Sequence, residues 1–397
     1  MTKTKVLIVG GGFGGVAAAL ELVNHPHFNV TLLSDSSSLR YYPTLYRAAT
    51  GGSRANSDIP YSVIFQNTPI NIVQAEAVSI DRQARQVITK DNQAYAYDFL
   101  ILGLGVVTNY FGIPGLDQYS YSIKSQDEAA RFKKHLHEQL INDGKPDLNY
   151  LIVGAGPTGI ELAGALPSYL KQITKNHGIA PKKLNISLIE AMPRLLPNLP
   201  KATSRQVKRR LKRLGINVYL NSKVEGQTAD ALVINGQPMP SQTVVWTAGV
   251  TNHPFFVNNH FVIMGRGKVG VDAYLQSEPK IFVIGDNANT PFSGLAQTAL
   301  HDGKFVAQNL IRAARGEMYK SYEVKKPITV IPAGPGWAAV DTGKFRLHGR
   351  LGLLVREAAD LEGFKDLEPW SQATKQYFTQ FKTDDSCEVC SLAKARY

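Results

Sequence analysis

Short apolar runs, each closed by glycine or a polar turn, recur along the chain and predict buried strands. Val6 to Val9, Val30 to Leu33, Leu151 to Val153, Ile186 to Ile189 and Ile281 to Ile284 are such runs. Runs of this length, rich in Val, Ile and Leu, fit strands covered on both faces. Helical spacing follows two of them, over Ala17 to Leu22 and over Ile160 to Leu170. Pro167 is expected to end or kink the second helix, because proline removes a backbone donor. Val78 to Tyr97 alternates and predicts a hairpin. Lys201 to Arg213 predicts a helix with Val207, Leu211 and Leu214 on its buried side. Strands alternating with helices place the chain in the α/β class, with parallel sheets. From Thr329 onward the pattern changes to a smaller mixed unit.

Two of the strand-to-helix junctions carry glycines at the same spacing. The first reads Gly10-Gly11-Gly12-Phe13-Gly14-Gly15 and the second Gly154-Ala155-Gly156-Pro157-Thr158-Gly159, 144 residues later. In this pattern the first glycine makes the tight turn and the second lets backbone approach a pyrophosphate. The third lets helix and strand pack closely. The pyrophosphate sits over free N–H groups at the helix N-terminus. An acidic residue follows the next strand in each unit, Asp35 in the first and Glu190 in the second, placed to hold ribose hydroxyls. Glu190 lies 31 residues beyond Gly159. The polar insert Lys171 to Leu184 is expected to absorb the excess as a longer connection. Glu190 favours NADH over NADPH by repelling a 2′-phosphate, and Arg194 nearby weakens that preference. Two fingerprints imply two nucleotides on one polypeptide.

A chain of 397 residues with 44% hydrophobic content supports two or three domains. Residues 1–118 and 250–320 are expected to form one nucleotide-binding domain, 119–249 the second, and 321–397 a C-terminal domain. No apolar run reaches membrane-spanning length. Met1 to Lys5 runs into a strand without a leader, which argues for a cytoplasmic location. The two cysteines, Cys387 and Cys390, provide no disulfide scaffold. The net charge is +12, and seven of the thirteen residues in Lys201 to Arg213 are Lys or Arg. No nucleic-acid-binding motif accompanies that charge, so nucleic acid is not an expected partner. An anionic membrane surface suits it better.

Together these motifs resemble the two-dinucleotide-binding flavoprotein reductases, and within them the type II NADH dehydrogenases (NADH:quinone oxidoreductases). The resemblance extends to about residue 370. It implies two Rossmann-like domains, one for non-covalent FAD and one for NADH as substrate. Gly10 to Gly15 with Asp35 resembles the FAD site, and Gly285-Asp286 its second motif, with Asp286 on the ribitol. Tyr97 to Gly105 resembles the strand that leaves the flavin domain, with Gly103-Leu104-Gly105 in place of the usual Ala-Thr-Gly. Tyr41 to Tyr46, including Tyr42, is similar to the segment at the flavin edge. Glu190 to Pro197 and Trp246 to Val250, including Gly249, resemble the segments on the NADH side. Glutathione-reductase relatives carry a cysteine pair in the flavin domain. This chain carries none there.

Ala296-Gln297-Thr298-Ala299 resembles the segment by the flavin ring that helps line a quinone pocket. Gln297 and His301 are four apart on one helix face, and His301 stands where the family commonly has Gln or Glu. It could hydrogen-bond a quinone carbonyl or supply a proton. Glu161, just after the second fingerprint, resembles the glutamate that orients NADH or a proton-transfer water. The resemblance implies hydride transfer from NADH to flavin, then electrons to a membrane quinone, without proton pumping. It also implies peripheral attachment on the cytoplasmic side, and dimerisation is common among such flavoproteins. Gly349 to Leu361 carries leucines among basic residues and fits a monotopic contact. Cys387 and Cys390 keep open an NADH-dependent thiol/disulfide reductase. They have the spacing of half a metal site, but no full site is expected. A slow-turnover flavin-binding interaction protein is the remaining alternative.

Overall fold

The apolar runs become the central strands of two parallel sheets in the computed structural model, which describes residues 3–52, 57–142, 146–180 and 183–379. The larger sheet has six strands in the order Gln276–Glu278, Ile281–Val283, Phe99–Leu102, Thr4–Val9, Phe28–Ser34, Asn71–Gln74. All neighbours are parallel except the first pair. Val6 stands between Val30 and Phe99, so both edges of the central strand are paired, and Val6, Leu7, Ile8 and Val9 are all buried, so both its faces are covered. The smaller sheet runs Asn217–Tyr219, Ile186–Ile189, Tyr150–Val153, Thr243–Trp246, all parallel. Sheets buried this way lose the in-out alternation of a solvated strand, which is why the runs are continuously apolar.

The two sheets are built on one plan. Each is accompanied by a three-stranded antiparallel meander: Ala77–Asp81, Gln86–Thr89 and Ala94–Ala96 in the first unit, and Val224–Gln227, Ala231–Ile234 and Gln237–Pro240 in the second. The alternating stretch Val78 to Tyr97 is therefore three strands, one more than a hairpin. A ribbon joins the units. Val106–Thr108, leaving the first sheet, pairs antiparallel with Val250–Asn252, returning to it.

The helix at the second fingerprint spans Pro157–Asn176 and continues past Pro167, which does not end it. It is longer than Ile160 to Leu170, and it takes up the first six of the fourteen residues in the Lys171 to Leu184 insert. Its packing explains the tolerance. Leu162, Ala163, Leu166, Tyr169, Leu170 and Ile173 on both sides of the proline are buried in one cluster, and burial of that size outweighs one lost hydrogen bond. Gly164 lets the same helix touch the C-terminal unit: a Cβ there would lie 2.4 Å from the Gly334 nitrogen. That unit is an antiparallel sheet of Thr329–Pro332, Ala338–Asp341 and Arg346–Gly349, followed by helices Arg350–Lys365 and Trp370–Thr379. Among the described residues no helix is long and apolar enough to cross a membrane.

Candidate functional site

The two fingerprint loops are superimposable in their chemistry. Gly10 has φ +105° and Gly154 φ +103°, a backbone region closed to most side chains. A Cβ on Gly10 would sit 2.2 Å from the Gly103 oxygen, and one on Gly154 2.6 Å from the Ala248 Cα. Each turn is thus wedged under the end of its neighbouring strand. The third glycines, Gly15 and Gly159, would each bring a Cβ to 1.9 Å from the carbonyl oxygen of Gly10 or Gly154. Gly12 and Gly156, by contrast, face open space with nothing within 4 Å. Both cap a helix without any side-chain cap bond. Open room over free helix-start N–H groups is what a pyrophosphate requires. Thr158 is exposed in the first turn of its helix. Phe13 is buried against Tyr41, ring centroids 5.5 Å apart, so its side chain belongs to the core and only its backbone faces the loop.

The acidic partners differ in setting. Asp35 follows strand Phe28–Ser34, lies exposed, and pairs with Arg40 at 3.0 Å. Tyr42 stands on the next turn, beside Arg40. Glu190 accepts the Ala155 N–H at 2.7 Å with one oxygen and the Met192 N–H at 2.9 Å with the other. It therefore braces its own fingerprint loop while keeping lone pairs for a ribose. Arg194 donates to Leu196 O at 3.2 Å, Leu199 O at 2.6 Å, Ser204 Oγ at 3.0 Å and to Pro197 O. The guanidinium expected to weaken the preference for NADH is thus engaged in fixing residues 194–204.

The second flavin-side motif is tied together by residues that pattern reading missed. Asp286 is pushed up by burial and held down in part by Lys268 and the Gly294 N–H. Gly285 donates its N–H to Asp302 at 2.9 Å, and Tyr322 donates to the same carboxyl at 2.6 Å. Burial raises Asp302 to about 6. Asn287, fully buried, accepts the Gly105 N–H at 2.8 Å and donates to Gly105 O at 2.6 Å and Asn252 Oδ1 at 2.5 Å. One amide thus pins both strands of the ribbon between the units. Gly105 itself has no atom within 4 Å of a built Cβ. Gly249 does not face open space: its Cβ would meet the Phe111 ring at 2.4 Å and the Asn109 oxygen at 2.7 Å. It is required for packing at the ribbon. Tyr61, also missed, donates to Gly11 O at 2.9 Å and lies 3.1 Å from Ser34 Oγ. It holds the first fingerprint loop from below.

Gln297 and His301 do lie on one face of helix Ala296–Ala314, with Ala296 half-buried at its start. Both polar ends are engaged by the chain that follows. The Gln297 amide donates to Ile328 O at 3.2 Å and accepts from Ile328 N at 3.1 Å. His301 Nε2 lies 2.8 Å from Glu323 O, and its ring packs on Tyr322. The same helix is drawn against the first fingerprint helix, since Gly303 would carry a Cβ only 2.1 Å from Gly14 O.

Glu161 enters the least expected environment. It projects from the second fingerprint helix into a buried charge cluster where three parts of the chain meet. Arg356, on helix Arg350–Lys365, places Nη1 3.8 Å from Glu161 and Nε 2.9 Å from Asp360. Asp360 also receives Arg47 at 3.2 Å, and Arg47 donates to Tyr46 OH at 3.0 Å. Arg356 donates further to Pro43 O at 2.8 Å. Burial pushes Glu161 up to about 7, with Arg356 and Arg47 pulling the other way. Burial opposes the charge on Arg356, but Asp360 and Glu161 outweigh it and hold the guanidinium protonated. A carboxyl poised near neutrality at such a junction can give or take a proton. Cys387 and Cys390 lie outside the described residues.

Residues 4–303 match the model of the pyridine nucleotide-disulphide oxidoreductases. The chain belongs to that family. Among its relatives, a protein named type II NADH:quinone oxidoreductase from Staphylococcus aureus is 27% identical over 356 residues, 84% of this chain and 88% of that protein. The solved structure of NDH2 from Plasmodium falciparum in complex with NADH superposes with a TM-score of 0.86 at 19% identity, covering 96% of this chain and 98% of that one. The sulfide:quinone oxidoreductase of Aquifex aeolicus superposes with a TM-score of 0.77 at 20% identity, over 97% and 98%. The fold expected from the motifs, two Rossmann-like units and a mixed C-terminal unit, is the one found, and the resemblance to type II NADH dehydrogenases holds.

Proposed function

We propose that this oxidoreductase transfers electrons from NADH through non-covalently bound FAD to a quinone, without pumping protons. Residues 1–118 and 250–320 carry the FAD, 119–249 the NADH, and 321–397 the quinone and membrane side. The observation that carries the reading is the Glu161 cluster. It brings the nicotinamide-side helix, the flavin-edge segment Tyr41 to Tyr46 and the C-terminal helix to one buried carboxyl near neutrality.

The chain fits FAD by its open first fingerprint, by Asp35 and by the half-buried Asp286, and it fits NADH by Gly156 and Glu190. When bound, the flavin supplies a two-electron relay between nicotinamide and quinone. Glu161 holds or moves the proton that quinone reduction consumes, and Arg356 and Arg47 set its charge. Gln297, locked by Ile328, presents the start of its helix to the acceptor side. His301 is held by Glu323 and positions the same helix. The fold alone would also accommodate sulfide oxidation, but that sulfur chemistry wants cysteines beside the flavin. Residues 1–386 contain none.

Helix Arg350–Lys365 supports a membrane contact. Gly352, Arg356, Asp360 and Phe364 face inward at four-residue spacing, while Leu351 and Leu354 are 63% and 60% exposed. Phe345, Trp370 and Phe378 of the same C-terminal unit are exposed as well. A buried Arg356–Asp360 pair with leucines on the exposed side, which also carries Glu362 and Lys365, departs from the usual order for a water-facing helix and supports a surface resting in lipid. Lys344, Arg346, Arg350 and the basic helix Lys201–Arg213 add attraction to anionic headgroups on the cytoplasmic side. The test is stopped-flow spectroscopy of purified enzyme. NADH should bleach the flavin, and a short-chain quinone should restore it at catalytic rates. Reoxidation slower than turnover, or faster with disulfides than with quinones, refutes the reading. Sedimentation will show whether the protein is the expected homodimer.

A further inference from the structure

Residues 317–328 form neither helix nor strand, so their backbone groups must find partners elsewhere. They find them along one face of helix Ala296–Ala314. Arg312 donates to Met318 O at 2.9 Å and pairs with Glu317 at 2.7 Å. Asn309 donates to Lys320 O at 3.0 Å and accepts the Lys320 N–H at 2.9 Å. Phe305 meets the Tyr322 ring edge-on, with centroids 5.1 Å apart. His301 and Gln297 complete the row on Glu323 and Ile328. Positions 297, 301, 305, 309 and 312 recur every three or four residues, as one helix face requires. The segment is thus a strap lying antiparallel along the helix, from its C-terminal end to the end assigned to the acceptor.

Asp302 lies just inside this row and is fully buried. One of its oxygens accepts the Tyr322 hydroxyl of the strap at 2.6 Å, and the other accepts the Gly285 N–H of the flavin-side motif at 2.9 Å. The second bond matters because Gly285 sits at φ +63°, and glycine has little conformational preference of its own to hold a turn. Ser293 Oγ donates to Gly285 O at 3.0 Å. Ser293 therefore fixes the peptide plane after Gly285, and Asp302 fixes the plane before it. Together they set the direction in which Asp286 leaves the turn. Stability alone does not account for a carboxylate at this place. Both of its partners are neutral, and burial and the charge of Asp286 oppose its ionisation. What a carboxylate offers is two acceptor oxygens on one rigid planar group, and Asp302 uses one on each side.

Resting on the FAD and quinone reading above, we propose that Asp302 is a positioning residue that joins the flavin seat to the acceptor strap. Through the Gly285 N–H it holds Asp286 toward the ribitol. Through Tyr322 it holds the strap that engages His301 and Gln297. Neither action needs contact with flavin or quinone. The Gly285 arm governs flavin retention, and the Tyr322 arm governs the acceptor.

The test compares holoenzyme of the wild type, Asp302→Ala, Asp302→Asn and Tyr322→Phe. The FAD Kd is read from the fluorescence of flavin released on dilution, and stopped flow separates reduction by NADH from reoxidation by a short-chain quinone. Asp302→Ala loses both arms and should raise the FAD Kd at least about tenfold. Asp302→Asn keeps an oxygen for the Gly285 N–H and can turn its amide N–H to the Tyr322 oxygen, so it should recover most of that loss. Tyr322→Phe cuts the strap arm alone. It should leave the FAD Kd and reduction by NADH within about twofold of the wild type, while the KM for quinone rises at least about threefold. A strap that only adds stability would lower the melting temperature of Tyr322→Phe with no change in the quinone KM, and that result overturns the acceptor arm. Equal losses in reduction and reoxidation in Tyr322→Phe overturn it too. Wild-type FAD affinity in Asp302→Ala overturns the flavin arm, and Asp302→Leu, closer to aspartate in shape, replaces the alanine variant if that does not fold. A wild type that holds no FAD, or that quinone does not reoxidise, overturns the reading beneath the inference, whatever the variants do.

Discussion

Replacing Arg356 with methionine should move the pH dependence of quinone reduction. Arg356 Nη1 and Glu161 Oε1 are 3.8 Å apart in a buried site. At an effective dielectric constant of about 20, unit charges at that distance attract by about 4 kcal/mol, worth about three pKa units. Water entering the space left by the guanidinium recovers part of this, so a rise of about two units is expected. Asp360 would lose one of its two arginines and push Glu161 further in the same direction. A protonated Glu161 is the form that can deliver a proton to the quinone. In the wild type, reoxidation by quinone should fall as pH rises through about 7, and in Arg356→Met the fall should move to about pH 9. Glu161→Gln should remove that limb altogether, and Arg356→Lys should restore it near its original place. The stability linkage has its own sign. Burial raises Glu161 above its unfolded value, so the stability it allows is fully present below about pH 4.5 and is lost as pH rises through about 7. Glu161→Gln should therefore melt higher than the wild type at pH 8, by up to about 3 kcal/mol in stability, with no such advantage at pH 4. A limb that stays at pH 7 in Arg356→Met refutes the pairing argument.

Nucleotide choice follows from Glu190 and the commitment of Arg194: NADH should exceed NADPH in kcat/KM by at least about tenfold, and equal rates of flavin reduction would remove Glu190 from that role. Gln297→Ala breaks both bonds to Ile328 and should slow reoxidation by quinone more than reduction by NADH, which single-turnover mixing resolves. Serine at both Cys387 and Cys390 should leave NADH:quinone turnover nearly intact, and its loss would favour disulfide chemistry. Liposome flotation should show binding to anionic vesicles that weakens but persists as salt rises, because the basic residues are screened while Leu351 and Leu354 are not; absence of binding at low salt refutes the membrane contact.

The parts of the molecule legible in the sequence were those governed by local rules. Gly10 and Gly154 sit at φ angles that glycine favours, and the strands before them are buried on both faces, so spacing and apolar runs reveal them directly. Helix Lys201–Arg213 was legible for the same reason, with Val207 and Leu211 buried at helical spacing. Pro167 does not end its helix because its penalty is local, whereas the packing that overrides it comes in part from residues far along the chain. Tyr61, Asn287 and Arg356 left no local signal. Each acts on a partner 50 or more residues away in at least one bond or ion pair: Gly11 for Tyr61, Gly105 for Asn287, and Glu161 for Arg356. Asn287 directly follows the Gly285-Asp286 pair and could have been suspected from that position alone.

The inward stripe of helix Arg350–Lys365 connects surface and chemistry. Gly352 admits the Ala338 carbonyl, which a Cβ would approach to 2.1 Å, and Phe364 stacks on Tyr41 at 4.6 Å. Between them, Arg356 and Asp360 meet Glu161 and Arg47. The outward leucines lie on the same rigid rod. A buried ion pair gains little net stability over apolar packing, so stability alone does not account for charges at these positions. Their effect is to fix the charge of Glu161 according to where this helix sits. A force on the outer face that shifts the helix changes the 3.8 Å separation and with it the proton affinity of the carboxyl, since the interaction varies inversely with distance. On the proposed reading, membrane contact and proton delivery are two faces of one helix, so the pH profile should differ between enzyme in solution and enzyme on vesicles. Superimposable profiles in the two states would show that the helix keeps a single seat.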